Sequence, residues 1–133
     1  VGNLALPPTI RLENGLDAGT PKVKIDPHQV SIVFRNLLRN ARDAMTNGGL
    51  IQINADSDDE FVMIHIADNG AGIAAEDMER ITEPLYSTKA RGMGLGLAIC
   101  AAILDKNQGR LTVESKLGEG TKFTVHLPRH PDP

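Results

Sequence analysis

The chain has 133 residues, which suits one domain and leaves too little sequence for a second of ordinary size. Its 14 Lys and Arg residues and 17 Asp and Glu residues are interspersed, which argues against the clustered basic surface of a nucleic-acid-binding protein. Aromatic residues make up 3% of the sequence, so aliphatic side chains must form the core.

The cysteine content and the length of the apolar runs indicate the cellular compartment of the protein. The single Cys100 rules out an internal disulfide and favours a reducing, cytoplasmic environment, with this residue buried in the core. No apolar run reaches the length of a membrane span, so we expect no direct membrane contact. Because the sequence begins at Val1 without an initiator Met, we interpret residues 1–133 as one domain from a longer protein, with its core in residues 4–127.

Two short strands and a long helix are predicted first. Residues 4–25 contain apolar runs broken by Pro and Gly, which is typical of two strands joined by a turn. Asp26 and Pro27 suit the N-cap and the first position of a helix. The helix is predicted to end near Asn47-Gly48-Gly49, and its core-facing stripe comprises Val30, Val33, Phe34, Leu37, Leu38 and Ala41.

Alternating apolar residues predict a hairpin in the middle of the chain. The apolar positions are Ile51, Ile53, Val62, Ile64 and Ile66. The carboxylates of residues 56–60 fit a solvated turn between the strands, because their spacing matches no calcium-binding loop. Residues 74–80 are predicted to form a short helix, and residues 82–92 an irregular, mobile loop.

The last third of the chain is predicted to form a helix and two strands. The helix spans about Gly94 to Asn107 and stops at Gly109. Its core face is expected to contain Leu95, Ile99, Ala102 and Ile103. Residues 111–113 and 123–127 then pair as strands. The elements together predict an α+β fold, a two-layer sandwich in which helices cover one face of a mainly antiparallel sheet.

Three glycine-bearing segments occur in order along the chain. They are Asp68-Asn69-Gly70-Ala71-Gly72-Ile73, Gly92-Met93-Gly94-Leu95-Gly96-Leu97 and Gly118-Glu119-Gly120-Thr121. A carboxylate with a glycine turn, a phosphate-sized glycine loop and a glycine-threonine strand start describe a divided nucleotide pocket.

The first segment suits adenine. Asp68 ends a predicted buried strand, where its carboxylate needs a hydrogen-bond donor, and the exocyclic amino group of adenine supplies one. Gly70 and Gly72 are expected to let the backbone turn and to leave room for a flat base. The alternative is a structural Asp in a tight turn.

The second segment suits phosphate, because it opens a predicted helix whose free amide groups and dipole attract anions. It is not a Rossmann fingerprint, since Leu97 stands where the third Gly would be. It is not a P-loop either, since no Gly-Lys-Ser/Thr follows.

The first long helix carries a polar ridge. Asn36, Asn40 and Asp43 recur at positions i, i+4 and i+7. An Asn carbonyl suits a magnesium ion that already carries nucleotide phosphates, because hard divalent cations prefer oxygen ligands. The alternative is an ordinary solvent-exposed helix face.

In the order and spacing of these motifs, residues Asp26 to Leu127 resemble the ATP-binding half of a sensor histidine kinase. This family belongs to the GHKL superfamily, shared with type II topoisomerases and mismatch-repair ATPases. The resemblance implies that Asn40 ligates magnesium, with Asn36 and Asp43 beside it, and that Thr121 completes the adenine pocket. Further ATP contacts are implied for Ile73, Gly92, Gly94, Leu95, Gly96 and Leu97.

The resemblance also implies a lid over the nucleotide. Tyr86-Ser87-Thr88-Lys89 resembles the family's segment before that lid, with Tyr86 at the pocket. Lys89 and Arg91 are the implied catalytic cations that offset charge on the terminal phosphate, and the alternative is solvated loop cations. The chain departs from the family pattern at Asp43 and Ala44, where many members have a basic and an aromatic residue.

The function implied by the resemblance is to bind Mg-ATP and donate its γ-phosphoryl group to a histidine on a separate dimerisation domain. A response-regulator receiver domain is the further implied partner, and the isolated domain is expected to be monomeric. Asn36 replaces the water-activating Glu of hydrolysing members, which favours transfer over hydrolysis. None of His28, His65, His126 and His130 lies in an acceptor motif. The alternatives are a serine kinase of a regulatory protein and a non-catalytic ATP-gated interaction module.

Overall fold

The structure, a computed structural model, describes residues 9–15, 25–45, 47–74 and 93–129, and for residues 93–96 it describes the backbone only. Within these ranges the elements are β1 (Ile10–Asn14), α1 (Pro27–Asp43), β2 (Gly49–Ser57), β3 (Phe61–Asp68), α2 (Met93–Lys106), β4 (Arg110–Lys116) and β5 (Gly120–Pro128). No helix in the described ranges combines the length and apolar character needed to cross a bilayer.

The described strands form one mixed sheet in the order β1-β2-β3-β5-β4. Only β1 and β2 pair in parallel, and every other neighbouring pair is antiparallel. The buried faces of both helices and the inward face of the sheet share one core, which is mainly aliphatic and includes Phe34 and Phe123. The predicted α+β sandwich with a mainly antiparallel sheet is therefore confirmed. Of the two strands predicted in residues 4–25, β1 is described, and residues 16–24 lie outside the description.

Helix α1 begins as its sequence predicts. The Asp26 carboxylate caps it by accepting a 2.8 Å hydrogen bond from the His28 amide, and Pro27 is the first helical residue. Its buried apolar side chains are Val33, Phe34, Leu37, Leu38 and Ala41. The helix ends at Asp43, about a turn before the predicted end. The reason is tertiary, because the carbonyl of Ala44 accepts a hydrogen bond from the Ala71 amide instead of continuing the helix.

Helix α2 buries a different face from the predicted one. Its fully buried side chains are Leu97, Cys100 and Leu104, whereas Ile99 is 40% exposed and Ala102 is exposed. Ile103 is partly buried, as expected, and the side chain of Leu95 lies outside the description. Nearly every position of this helix is apolar, so its helical period fits more than one face, and packing against α1 and the sheet selects one.

The end of α2 is also built differently from the prediction. Gln108, with φ of 61°, is the residue in the left-handed region, and the amide of Gly109 donates a 2.7 Å hydrogen bond to the carbonyl of Leu104. This is a Schellman motif in which Gly109 follows the left-handed position rather than occupying it.

The carboxylates between β2 and β3 form the predicted turn. Asp58 accepts hydrogen bonds from the amides of Phe61 and Glu60, and these bonds lower the pKa of its carboxyl below the ordinary value. Among the described residues, no group of three or more His, Cys, Asp or Glu side chains is placed to hold a metal ion.

Candidate nucleotide site

Three polar side chains form a row across one end of the sheet. Asp68, the last residue of β3, lies opposite Thr121 of β5, which in turn lies opposite Ser115 of β4. Register partners project from the same face of a sheet, and here that face is the one that packs against the helices. Thr121 is 6% exposed and Asp68 is partly buried. Asp68 and Thr121, both predicted at the site, are thus neighbours.

The loop that follows Asp68 is fixed at three points. The Asp68 carboxylate accepts a 2.8 Å hydrogen bond from the Gly70 amide. The Ala71 amide donates to the carbonyl of Ala44 after α1, and the Ala71 carbonyl accepts from the Gly118 amide between β4 and β5. The loop therefore ties the end of the first helix to the last hairpin, with Asp68 between them.

The structure gives a new physical reason for the glycines of this loop. A Cβ atom on Gly70 would lie 2.5 Å from the carbonyl oxygen of Ala44, and one on Gly72 would collide with the carbonyl oxygen of Lys116. Gly72 also has φ of +76°, in the left-handed region. Close approach of the protein's own backbone is thus a reason for glycine at both positions, and room for a flat base stays a prediction.

Ser115 is a site residue that the sequence analysis missed. Its Oγ accepts a 2.8 Å hydrogen bond from the Ile73 amide, donates one of 2.9 Å to the Gly120 carbonyl and lies 2.8 Å from Thr121 Oγ1. The alternation of Leu111, Val113 and Ser115 could have placed a hydroxyl on the core-facing side of β4. It could not have identified the three partners, because they come from two other segments.

Asn40 is buried on α1, where it is 6% exposed. Its Nδ2 has no hydrogen-bond partner among the described residues. An ordinary solvent-exposed face is therefore excluded for Asn40. A buried amide nitrogen without a partner costs about 1–3 kcal/mol, so a hydrogen-bond acceptor on a ligand would stabilise Nδ2. Asp43, on the same ridge, is exposed and lies 3.3 Å from Arg42 Nε.

Asn36 lies at the contact between the two helices. Its side chain faces the thiol of Cys100, whose Sγ lies 3.6 Å from the carbonyl oxygen of Val33. Burial raises the pKa of the Cys100 thiol from 9.0 to about 12, although the Asn36 side chain acts in the opposite direction. Cys100 is thus the buried core residue predicted, and it is not an activated thiol.

The predicted phosphate segment lies at the start of α2. Gly94, Leu95 and Gly96 fall in its first turn, beginning at Met93. Leu97 is fully buried and Ile73 is 7% exposed, so both side chains pack in the core. Tyr86, Lys89, Arg91 and Gly92 lie outside the described residues, as do residues 75–80 of the predicted short helix and the predicted lid, and they remain predictions.

An open cavity of about 350 Å³ lies at the end of the sheet beside the polar row. Its lining residues are Ala67, Asp68, Glu114, Ser115, Lys116, Glu119, Gly120, Thr121 and Lys122. Two Lys side chains at this cavity face carboxylates: Lys116 Nζ lies 3.5 Å from Glu119 Oε2, and Lys122 Nζ lies 3.4 Å from Glu114 Oε2. Glu114 and Lys122 alternate with Ser115 and Thr121 along their strands, so their side chains project from the face of the sheet opposite to the polar row.

Comparison with known proteins identifies related domains. A family model described as Histidine kinase-, DNA gyrase B-, and HSP90-like ATPase matches residues 25–131. Sporulation kinase E of Bacillus subtilis is 37% identical over 120 residues, which cover 90% of this chain and 16% of that protein. The chain likewise spans 25% of sporulation kinase C of the same organism.

Solved structures agree with the sequence comparison. A mycobacterial sensor histidine kinase, MprB, superposes with a TM-score of 0.80 at 26% identity, covering 93% of this chain and 86% of the MprB chain. Full-length ShkA in complex with AMPPNP superposes with a TM-score of 0.79 at 28% identity, covering 90% of this chain and 26% of ShkA.

Proposed function

Because this chain belongs to the Histidine kinase-, DNA gyrase B-, and HSP90-like ATPase family, we propose that it is the catalytic domain of a sensor histidine kinase. In this proposal it binds Mg-ATP and donates the γ-phosphoryl group to a histidine of a separate dimerisation domain. The observation that carries the proposal is the row of Asp68 and Thr121 beside a loop tied to α1. The ShkA complex with AMPPNP, an ATP analogue, supports the choice of nucleotide.

Adenine is the base that the polar row favours. Asp68 is partly buried, and an ionised carboxylate in such a place requires hydrogen-bond donors. The Gly70 amide supplies one of them to Oδ1. The exocyclic amino group of adenine would supply another from the ligand side, and Thr121, on the same face, would contact the same edge of the base.

Asn40 is the residue proposed to hold magnesium. A neutral amide oxygen suits this cation when nucleotide phosphates supply most of its negative ligands, and the Nδ2 group without a described partner could donate to a phosphate oxygen. Bound magnesium would supply charge neutralisation on the phosphates. Asn36, whose side chain faces the Cys100 thiol, would stand beside this position, and an amide cannot act as a general base. The donor set therefore favours phosphoryl transfer over hydrolysis.

The described histidines are occupied by other contacts or lie outside a helical acceptor motif. His65 places Nδ1 2.9 Å from Thr124 Oγ1 and Nε2 2.9 Å from Asp56 Oδ2, on the face of the sheet away from the helices. His126 Nε2 lies 3.1 Å from Thr112 Oγ1. These contacts support an acceptor on another domain. We further propose that the domain is cytoplasmic and monomeric, and that its partners are its dimerisation domain and a receiver domain.

A reconstitution experiment tests the proposed reaction. The chain is incubated with radiolabelled ATP, alone and with the dimerisation domain of its parent protein, and the acid lability of any label is measured. We expect no labelling of the chain alone and slow, acid-labile labelling of the added domain, because a bimolecular encounter replaces tethering. Labelling of the chain alone, or an acid-stable label on the partner, would contradict the proposal, and the acid-stable label would favour a serine kinase. ATP binding without any labelling would favour an ATP-gated interaction module.

A further inference from the structure

Ser115 occupies the centre of the hydrogen bonds that hold the proposed adenine site together. It accepts a hydrogen bond from the Ile73 amide in the glycine loop, residues 69–73 after β3. It also contacts the Gly120 carbonyl and the Thr121 hydroxyl at the start of β5. It is partly buried, so these contacts are shielded from water. These contacts determine the directions in which the Ser115 and Thr121 hydroxyl groups donate their protons.

A serine hydroxyl carries one proton and accepts two hydrogen bonds. The Ile73 amide can only donate, and it takes one acceptor position of Ser115 Oγ at 2.8 Å. The Gly120 carbonyl can only accept, and it lies 2.9 Å from the same oxygen. If Ser115 gave its proton to Thr121 instead, two acceptor oxygens would face each other at this 2.9 Å separation, which is unfavourable. The Ser115 proton therefore goes to Gly120, and the Thr121 hydroxyl must donate to Ser115 across 2.8 Å.

This proton arrangement leaves Thr121 with lone pairs and no free proton. We propose that Ser115 is a positioning residue that holds the Thr121 hydroxyl as a hydrogen-bond acceptor toward the ligand, so that the site selects a purine with an amino group at C6. The proposal rests on the proposed ATP site. Asp68, the neighbour of Thr121 in the row, is also an acceptor when ionised. The row then presents acceptors alone, which match an amino group and repel a carbonyl oxygen.

The role is indirect, because Ser115 acts through the orientation of another hydroxyl. Removing the Ser115 hydroxyl releases the Thr121 proton, and the Thr121 hydroxyl can then rotate and donate to a 6-oxo group. If the role of Ser115 were purely structural, its replacement would lower stability and weaken the binding of every nucleotide alike. If Ser115 orients the Thr121 hydroxyl, its replacement should instead change the ratio of affinities for 6-oxo and 6-amino purine nucleotides.

The test compares ITP with ATP. ITP has a carbonyl oxygen in place of the amino group at C6 and also a proton on N1, and the C6 group is the one that the Thr121 hydroxyl is proposed to face. Calorimetric titration gives Kd for both nucleotides with the parent chain, Ser115→Ala, Thr121→Val and the double variant. In Ser115→Ala we expect the ratio of Kd for ITP to Kd for ATP to fall by roughly two- to tenfold, the range of one net hydrogen bond. In the Thr121→Val background the same change should leave the ratio unaltered, because no hydroxyl remains to be oriented.

A matched variant and a second substitution complete the experiment. Ser115→Thr keeps the hydroxyl and should keep the parental ratio. Thermal melting shows whether each variant folds, and if Ser115→Ala does not, Ser115→Cys replaces it, because a thiol is only a weak acceptor and donor. An unchanged ratio in the hydroxyl-free variant, or an equal change in the Thr121→Val background, overturns the role of Ser115 while ATP binding by the parent chain still stands. Failure of the parent chain to bind ATP overturns the proposed function and this inference together.

Discussion

Asp68 of β3 and Thr121 of β5 lie directly opposite each other in an antiparallel register, although they come from widely separated parts of the sequence. Their side chains project from the helix-covered face at the end of the sheet. The sheet therefore places a carboxylate and a hydroxyl side by side, without help from a flexible loop. Rigid elements hold such groups more accurately than loops do, which suits recognition of a planar base.

Substitution of Asp68 tests the adenine contact. Asp68→Ala should weaken ATP binding by roughly tenfold to a hundredfold or more, because a hydrogen bond to a charged group contributes about 1.5–3 kcal/mol. Calorimetric titration measures the affinity. The matched control is Asp59→Ala in the exposed turn between β2 and β3. Equal ATP affinity in Asp68→Ala and the parent would remove Asp68 from the site.

Substitution of Asn40 tests the magnesium assignment. Asn40→Ala should lose most of the magnesium-dependent part of ATP affinity, and its melting temperature without ligand should change little, because the Asn40 Nδ2 has no described partner to lose. Titrations of ATP with and without magnesium measure the first effect, and thermal melting the second. Asn54→Ala, at an exposed position of β2, is the control. If magnesium enhanced ATP binding equally in Asn40→Ala and the parent, Asn40 would not be the ligand.

Two glycine variants separate the steric clash at Gly72, in the loop after β3, from the cost of a left-handed backbone conformation. Gly72 and Gly118 have φ of +76° and +83°, but a Cβ on Gly72 would strike the Lys116 carbonyl, whereas one on Gly118 would have no described atom within 4 Å. Gly118→Ala should therefore cost only the conformational penalty, about 1–2 kcal/mol. Gly72→Ala should lower the free energy of unfolding by clearly more and should weaken ATP binding as well. Urea unfolding of both variants measures the difference, and equal losses would show that the collision is relieved without cost.

The buried thiol of Cys100 predicts a pH dependence of stability. Its pKa is raised from 9.0 to about 12 in the folded protein, so the neutral thiol is favoured there. The unfolded chain releases this proton first as pH rises, so the stability that Cys100 contributes is complete below pH 9.0 and is lost progressively up to about pH 12. The loss can reach about 1.4 kcal/mol per pH unit. Urea unfolding at pH 8 to 11 should show a steeper decline for the parent than for Cys100→Ala.

Alkylation gives an independent measurement of the same burial. Iodoacetamide at pH 8 should modify Cys100 slowly in the folded chain and rapidly in urea, because the thiolate is the reactive form and the folded thiol is shielded. Rapid modification of the folded protein, or parallel pH curves for the parent and Cys100→Ala, would show that the thiol is accessible.

Local patterns in the sequence determined most of the elements. The cap at Asp26, the apolar stripe of α1 and the alternation in β2, β3 and β5 predict the observed elements, because each reflects contacts within one helix or between adjacent strands. The glycine segments also located the candidate site in outline. Asp68 could be predicted there from residue type, since a buried carboxylate after a strand requires a donor, and Thr121 from the resemblance to the family.

Tertiary structure alone decided the remaining features. The buried face of α2, with Leu97 and Cys100 inward and Ile99 outward, follows from packing against α1 and the sheet, because an almost wholly apolar helix carries no directional pattern of its own. The end of α1 depends on the Ala71 amide, and the need for Gly72 depends on the carbonyl group of Lys116; both come from distant segments. The proton arrangement at Ser115 depends on partners from the glycine loop and β5, and such long-range hydrogen bonds leave no period or spacing in a sequence.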